Sequence, residues 1–375
     1  MSTTNLMDAH DQWAKRPQDQ RFQTLEELKA AVDNRRRISR ESVTEVMNLK
    51  TVPTDGGIML DNDGQILEPT WWSFGQLATK TESPAKFLRD LSPETASTVL
   101  NERLGQLRTK YSRKTDSECN VKLMRLEEDN GSVLQALTGP KYGRIWDSDV
   151  LQMVQTIVDR SDGKFHAPKA YSPSTGQPVP SGLYGSDHDV FAFMVDGGSL
   201  LDAGPRAQLN RGFFVWNSEV GAATFGVQTF LFNVVCGNHI VWGAQDINKF
   251  IIRHTGGGPQ RFLDDAMPAL LNHTNATPEL DAIINAQNIR LKDLKVPGLG
   301  GSTDLKDWQN AFSSWRGFTR GEVREAFAIA EKEEGQCDSL WDITQGFTAL
   351  ARDIPHIDTR LDLERRAGKL LALAK

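Results

Sequence analysis

The sequence predicts an α+β fold: mostly antiparallel sheet built from hairpins with packed helices, followed by a helical C-terminal third. Three observations predict it. Short runs of β-branched and aromatic residues recur through the first two thirds, broken by Gly, Asn and Asp. The stretch Asn210 to Ala244, NRGFFVWNSEVGAATFGVQTFLFNVVCGNHIVWGA, is the most apolar and aromatic part of the chain. From Arg261 onward the pattern changes to helical periodicity. The expected division is a helical N-terminal arm over 1–50, an α+β core over 51–260 and a helical region over 261–375.

Taken in order, Thr24-Leu-Glu-Glu27 has the form of a capping box and opens a helix to about Arg37. The cations Arg35, Arg36, Arg37 and Arg40 follow. They either favour a helix C-terminus or contact phosphate. Ile58 to Leu67 reads as a hairpin around Asn62-Asp-Gly64. Trp71-Trp72 opens a helical lobe, with further helices at Ser83-Pro84 and from Ser92 to about Leu107. Asn120–Glu127 and Ser132–Leu137 pair as a second hairpin. Val150, Leu151, Val154 and Ile157 give the next helix a one-sided stripe. Leu183–Val195 reads as a strand carrying Ser186-Asp-His-Asp189. Strands are expected at Gly212–Trp216, Thr224–Val235 and His239–Trp242, with Lys249–Arg253 as their extension. Helices follow at Arg261–Asn272, Pro278–Leu294, Leu305–Phe312, Gly321–Glu334, Ser339–Asp353 and Asp358–Ala374.

The totals exclude some classes. A chain of 375 residues, 39% hydrophobic, is long enough for a substantial core. A net charge of -6 implies neither disorder nor a uniformly basic surface. Cys119, Cys236 and Cys337 form no CxxC pair, which points to a reducing cytoplasm rather than a disulfide framework. No apolar leader or membrane-spanning run is seen.

Several groups have the residue types of a site. Asp187 and Asp189 with Glu219 suit a divalent cation, or are solvated acids at a strand end. Cys236 with His239 has the types of a thiol and base, but it ends an apolar run, as a buried inert thiol does. The loop His254 to Pro259 is glycine-rich but lacks nucleotide-binding spacing. Asn217, Ser218 and Glu219 interrupt the apolar centre and either staple neighbouring strands or face a ligand. No catalytic residue, cofactor or metal ligand is assigned. Basic residues beside aromatics suit a single-stranded nucleic acid, whose phosphates need cations and whose bases stack. The nominated positions are Arg108, Lys110, Tyr111, Arg113, Lys141, Tyr142, Arg144, Arg211 and Arg253, with Trp146 and Trp216 as further stacking candidates.

Several motifs together resemble phage/plasmid-like proteins of the domain-of-unknown-function 932 family. They are Trp13-Ala-Lys-Arg-Pro17, Trp72 to Ala78, Leu137-Thr-Gly-Pro-Lys-Tyr-Gly-Arg-Ile145, Val215-Trp-Asn-Ser-Glu-Val-Gly221, Val235-Cys-Gly-Asn-His239 and Leu340 to Thr348. His239 departs from the family pattern, where glycine is usual. The resemblance implies a mobile-element protein of the bacterial cytoplasm and brings no established catalytic residue. The leading expectation is a non-enzymatic DNA-metabolism protein that binds single-stranded DNA, as a homo-oligomer promoting annealing. Two alternatives stand beside it. One is a metal-dependent enzyme on nucleic acid or nucleotide. The other is an anti-defence or structural protein docking a host protein through Leu361, Leu363, Leu370 and Leu371.

Overall fold

A computed structural model of the chain describes residues 17–111, 119–129, 131–162, 164–167, 170–171, 178–179, 182–198, 200–233, 239–240, 250–275, 280–294, 296–299, 302, 304–351, 354 and 357–374. The fold is α+β. Helix α1 (Leu25–Ile38) starts at the capping box. Thr24 Oγ1 accepts from Glu27 N at 3.1 Å, and Glu27 Oε2 accepts from Thr24 N at 3.3 Å. Leu25, Leu28 and Val32 form its buried stripe. The chain then runs into β1 (Ser39–Glu45), a 3-10 turn over Val46–Asn48, and β2 (Leu49–Thr54), β3 (Gly57–Asn62) and β4 (Gln65–Pro69). Asp63 (φ 51) and Gly64 (φ 86) close the β3–β4 hairpin. Both lie in the left-handed region, which an Asp-Gly pair tolerates in a type I′ turn.

Helices α2 (Trp71–Lys80), α3 (Ala85–Arg89) and α4 (Pro93–Tyr111) precede a second hairpin, β5 (Asn120–Glu128) and β6 (Gly131–Thr138). The described strands form a six-stranded sheet in the order β1-β5-β6-β4-β3-β2, antiparallel except for β4 on β6. Its two edge strands, β1 and β2, are joined by only Val46–Asn48. A flat sheet would hold its edges about 24 Å apart, whereas that linker reaches about 14 Å. The sheet therefore curls. Its concave core gathers Leu49, Leu60, Leu123 and Leu134 around Leu77 of α2 and Leu100 and Leu104 of α4. Thr44 Oγ1 donates to Asn62 Oδ1 at 2.8 Å, tying β1 to β3.

Helix α5 (Asp147–Arg160) leads to the second sheet. Its strands are β7 (Phe165–His166), β10 (Leu183–Gly185), β11 (Val190–Asp196), β12 (Leu201–Asp202), β13 (Gln208–Asn217), β14 (Phe225–Asn233), β15 (His239–Ile240) and β16 (Phe250–Ile252). A small ribbon, β8 (Ala170–Tyr171) with β9 (Pro178–Val179), stands apart. The spine is β10-β11-β13-β14-β15. One face, with Ala192, Met194, Phe213 and Val215, packs on α1 and α5. The opposite face carries Phe191, Phe193, Phe214, Trp216 and Phe230, and Phe193 stacks on Phe230 at 4.6 Å. Burial on both faces is why these strands read as continuous apolar runs.

A helix over 258–275, here α6, contains a π-helical turn at Phe262–Ala266 and packs on this sheet through Phe262, Ala266 and Leu270. The rest is helical: α7 (Asp281–Asn288), a 3-10 turn Leu291–Asp293, α8 (Leu305–Arg316), α9 (Arg320–Glu333), α10 (Leu340–Ala351), α11 (Ile357–Gly368) and a 3-10 end, Lys369–Ala374. Its core holds Trp308, Phe312, Phe318, Trp341 and Phe347, and Ala203, Ala207, Leu209 and Leu231 join it to the second sheet. Among the described residues, no helix is long and apolar enough to cross a membrane.

Three expectations change. Residues 186–189 form a tight turn between β10 and β11 rather than part of one strand, so strand alternation does not place Asp187 and Asp189. Leu363, Leu370 and Leu371 are fully buried in the chain's own core and offer no docking face, while the Leu361 side chain lies outside the described residues. The stretch 1–50 contributes more than a helix, since β1 and the start of β2 lie in the six-stranded sheet.

Candidate functional site

The polar interruption in the aromatic stretch becomes the junction between the two sheets. It is built on the turn after β13, residues Asn217 to Val220. Asn217 Nδ2 donates to Ile145 O at 2.8 Å and to Asp147 Oδ1 at 2.7 Å. Ser218 Oγ donates to His188 O at 2.5 Å and accepts from Ala222 N at 2.8 Å. The Arg144 Nη1 donates to Glu219 O. Val220 O accepts from Gln76 Nε2 at 2.7 Å and from Trp72 Nε1 at 3.2 Å. Gln76 and Trp72 belong to α2, which packs in the curled sheet, so this turn staples the two halves of the α+β core.

At its centre lies a buried ion cluster. Arg35 Nη2 meets Asp147 Oδ2 at 2.8 Å, and Arg35 Nε meets Glu219 Oε1 at 3.1 Å. Glu219 Oε2 accepts from Asp147 N at 3.1 Å. Asp147 is 0% and Glu219 2% exposed. Burial first, and then Glu219, raise the Asp147 carboxyl well above its ordinary range, against the pull of Arg35 and Asn217. Burial lowers the Arg35 guanidinium, but Glu219 and Asp147 outweigh it and hold it above its ordinary value. One cation thus faces two buried carboxylates.

A second layer runs along Gly139–Trp146. Arg144 Nε donates to Glu41 Oε1 at 2.8 Å. Tyr142 stacks on His254 with centroids 5.1 Å apart and planes 8° apart, and its hydroxyl donates to Ser218 O at 3.3 Å. Burial pushes the Tyr142 phenol up. His254 Nδ1 accepts from Ile145 N at 3.2 Å. Burial, and then Arg144, lower His254 to about 4. Gly143 is where the two segments touch. A Cβ there would lie 1.9 Å from Thr255 O and 2.7 Å from Thr255 C. Neither is a flexible side-chain end. Gly143→Ala is therefore expected to cost at least about 1–3 kcal/mol, read as a lower urea midpoint at unchanged slope.

The nominated nucleic-acid residues divide. Lys141, Tyr142, Arg144 and Arg253 come together, because Tyr142 and Thr255 form a bridge. Of these, Lys141 and Arg253 are exposed, while Arg144 is buried in the staple. Arg108 Nη2 is spent on Leu49 O at 2.6 Å, and Lys110 meets Glu82 at 3.2 Å. Arg211 is half-buried and meets Asp196 at 3.2 Å, about 20 Å along β13 from Asn217. Arg113 and the Tyr111 side chain lie outside the described residues, as do Cys236 and Asn238. Trp216 is 3% exposed inside the aromatic face. Trp146 is flanked by guanidinium groups, Arg36 at 3.6 Å and Arg144 at 5.4 Å.

The metal reading fares differently. Asp187 Oδ1 is 2.6 Å from His188 Nδ1, and Asp189 Oδ1 accepts from Ser186 Oγ at 2.6 Å. Glu219 is committed to Arg35. Among the described residues, no group of three or more His, Cys, Asp or Glu is placed to hold a metal ion. Arg35 is the cation around which Asp147, Glu219, Asp187 and Asp189 act.

In sequence Arg35 reads only as a helix-end or phosphate-contacting cation, and Asp147 and His254 carry no assigned role. Helical phase carries a signal for two of them. Arg35 falls seven residues after Leu28 and three after Val32, on the buried stripe of α1. Asp147 precedes Val150, Leu151 and Val154 on the stripe of α5. A charge in phase with apolar residues marks a buried ion pair. Comparison of the chain with family models, curated proteins and solved structures finds no match.

Proposed function

We propose that this chain is a non-enzymatic protein that binds single-stranded nucleic acid in the DNA metabolism of a phage or plasmid, as a homo-oligomer in the bacterial cytoplasm. The observation that carries the reading is the distribution of exposed cations around the Gly139–Trp146 segment. Lys141 and Arg253 are exposed on it or beside it, and Arg36, exposed at the end of α1, lies over Trp146. Arg37, also exposed, continues the cluster along α1 and makes four, whereas Arg40 is paired with Glu127 at 3.3 Å. The mobile-element setting comes from the resemblance of the motif segments. The chemistry is charge neutralisation: cations displace counterions from phosphates, a contribution indifferent to base sequence. Tyr142, Trp146 and Trp216 are already packed against neighbours, so phosphate contacts carry the reading rather than base stacking.

The test is a fluorescence-anisotropy titration of labelled single- and double-stranded DNA at two or more salt concentrations. Four phosphate contacts give a log–log salt slope of about -3 for a single strand. Arg36→Glu, Lys141→Glu and Arg253→Glu are each expected to lower that slope by about 1. Light scattering on the same samples reads the oligomer. Absence of binding at low salt, or variants that leave the slope unchanged, would sink the reading.

A further inference from the structure

The C-terminal helical region holds a cleft of about 540 Å³ that neither the junction nor the cation cluster uses. That volume lies in the usual range for small-molecule sites. It opens between the 3-10 turn Leu291–Asp293, α8, α9 and the approach to α10. Its floor is aromatic. Trp308, 2% exposed, stands 6.0 Å from Phe327 and 5.3 Å from Phe312 by ring centroids. Leu291 and Ala328 extend the apolar wall.

The rim is charged, and its charges are unequally engaged. Arg290 is taken by Asp338 at 3.2 Å, which leaves that pair neutral. Among the described residues Lys292 forms no ion pair and Arg324 reaches only Glu325, at 3.9 Å with both side chains more than half exposed. Glu331 is the remaining acid on the rim. Cys337 also lines the cleft. Burial first, and then Asp342, Glu331 and Asp338, push its thiol up, so it stays protonated and unreactive. The cleft is thus equipped to hold a ligand without covalent chemistry.

We propose that this cleft binds a small planar aromatic anion of nucleoside-monophosphate size, its ring against Phe327, which Trp308 backs, and its anionic group on Lys292 and Arg324. Glu331 accepts from an amino group on the ring. A flat ring suits the aromatic floor, where paired π-systems gain beyond simple burial. The guanidinium fork of Arg324 matches phosphate or carboxylate oxygens. The site is distinct from the cation cluster at Lys141 and stands or falls independently of it.

Isothermal titration of the full chain with adenosine 5′-monophosphate, adenosine, inorganic phosphate and indole-3-carboxylate tests it. Binding of the nucleotide, with adenosine and phosphate each at least about tenfold weaker, supports the proposal. If indole-3-carboxylate binds and the nucleotide does not, the aromatic anion is a carboxylate rather than a phosphate ester. Lys292→Glu with Arg324→Glu changes exposed side chains only. It is expected to weaken nucleotide binding at least about tenfold, with an unchanged unfolding transition and unchanged DNA titration. Equal binding of adenosine and its monophosphate, nucleotide binding that survives the double reversal, or absence of heat with all four probes would overturn it.

Discussion

Arg35→Met is expected to destabilise the protein by about 3–5 kcal/mol, because it leaves Asp147 and Glu219 buried without their cation. That is a large share of a total stability on the order of 5–15 kcal/mol. Equilibrium urea unfolding at neutral pH measures it. The geometry makes the loss asymmetric. Asp147 and Glu219 have almost no solvent contact, so water cannot replace the guanidinium. Adding Asp147→Asn and Glu219→Gln to Arg35→Met removes the charges together, and the triple variant is expected to recover part of the loss. Asp147→Asn alone adds a sign that can be checked. The folded pKa of Asp147 lies above its ordinary value of 3.8, so the folded state holds the proton more tightly than the unfolded chain. Its contribution to stability therefore falls as pH rises from 3.8 through the raised folded value, and acidification restores it. In Asp147→Asn that dependence is gone. A triple variant no more stable than Arg35→Met would show that shape, not charge, decides the cluster.

The same cluster shows what the sequence makes legible. Local rules name local structure: Thr24 and Glu27 cap α1, Asp63-Gly64 turns a hairpin, and the stripes of α1 and α5 are visible in their periodicity. The interruption at Asn217–Glu219 stands out because polar groups inside an apolar run must find partners. Which partners they find is not local. Asp147 lies 112 positions from Arg35 and His254 lies 109 from Ile145. No periodicity spans those intervals. The turn at Ser186–Asp189 escaped for a related reason. Val190–Val195 is apolar on both alternating faces, so nothing in the pattern marks where the strand begins. The nominated cations divide because some of them meet partners set by the fold, such as Leu49 O for Arg108 and Asp196 for Arg211, which composition does not reveal.

Acid is expected to weaken the protein through His254, by up to about 3 kcal/mol between pH 6.5 and pH 4. The imidazole is 9% exposed, stacks flat on Tyr142 and uses Nδ1 as an acceptor for Ile145 N. Protonation would turn that acceptor into a donor facing an N–H, beside the Arg144 guanidinium. The folded state therefore resists the proton down to about pH 4, while the unfolded chain takes it up near 6.5. The unfolded state binds more protons across that window, so stability is complete above 6.5 and is lost as pH falls toward 4. Asp147 acts with the opposite sign in acid, so wild-type stability alone would blur the two. The difference between wild type and His254→Asn separates them. Asparagine keeps an acceptor for Ile145 N and cannot titrate, so the variant is less stable at pH 7.5 and loses less on acidification. Urea midpoints from pH 7.5 to 4.5 should converge for the two proteins. Parallel curves would mean that His254 titrates as it does in water, and that the Tyr142 stack opens to solvent.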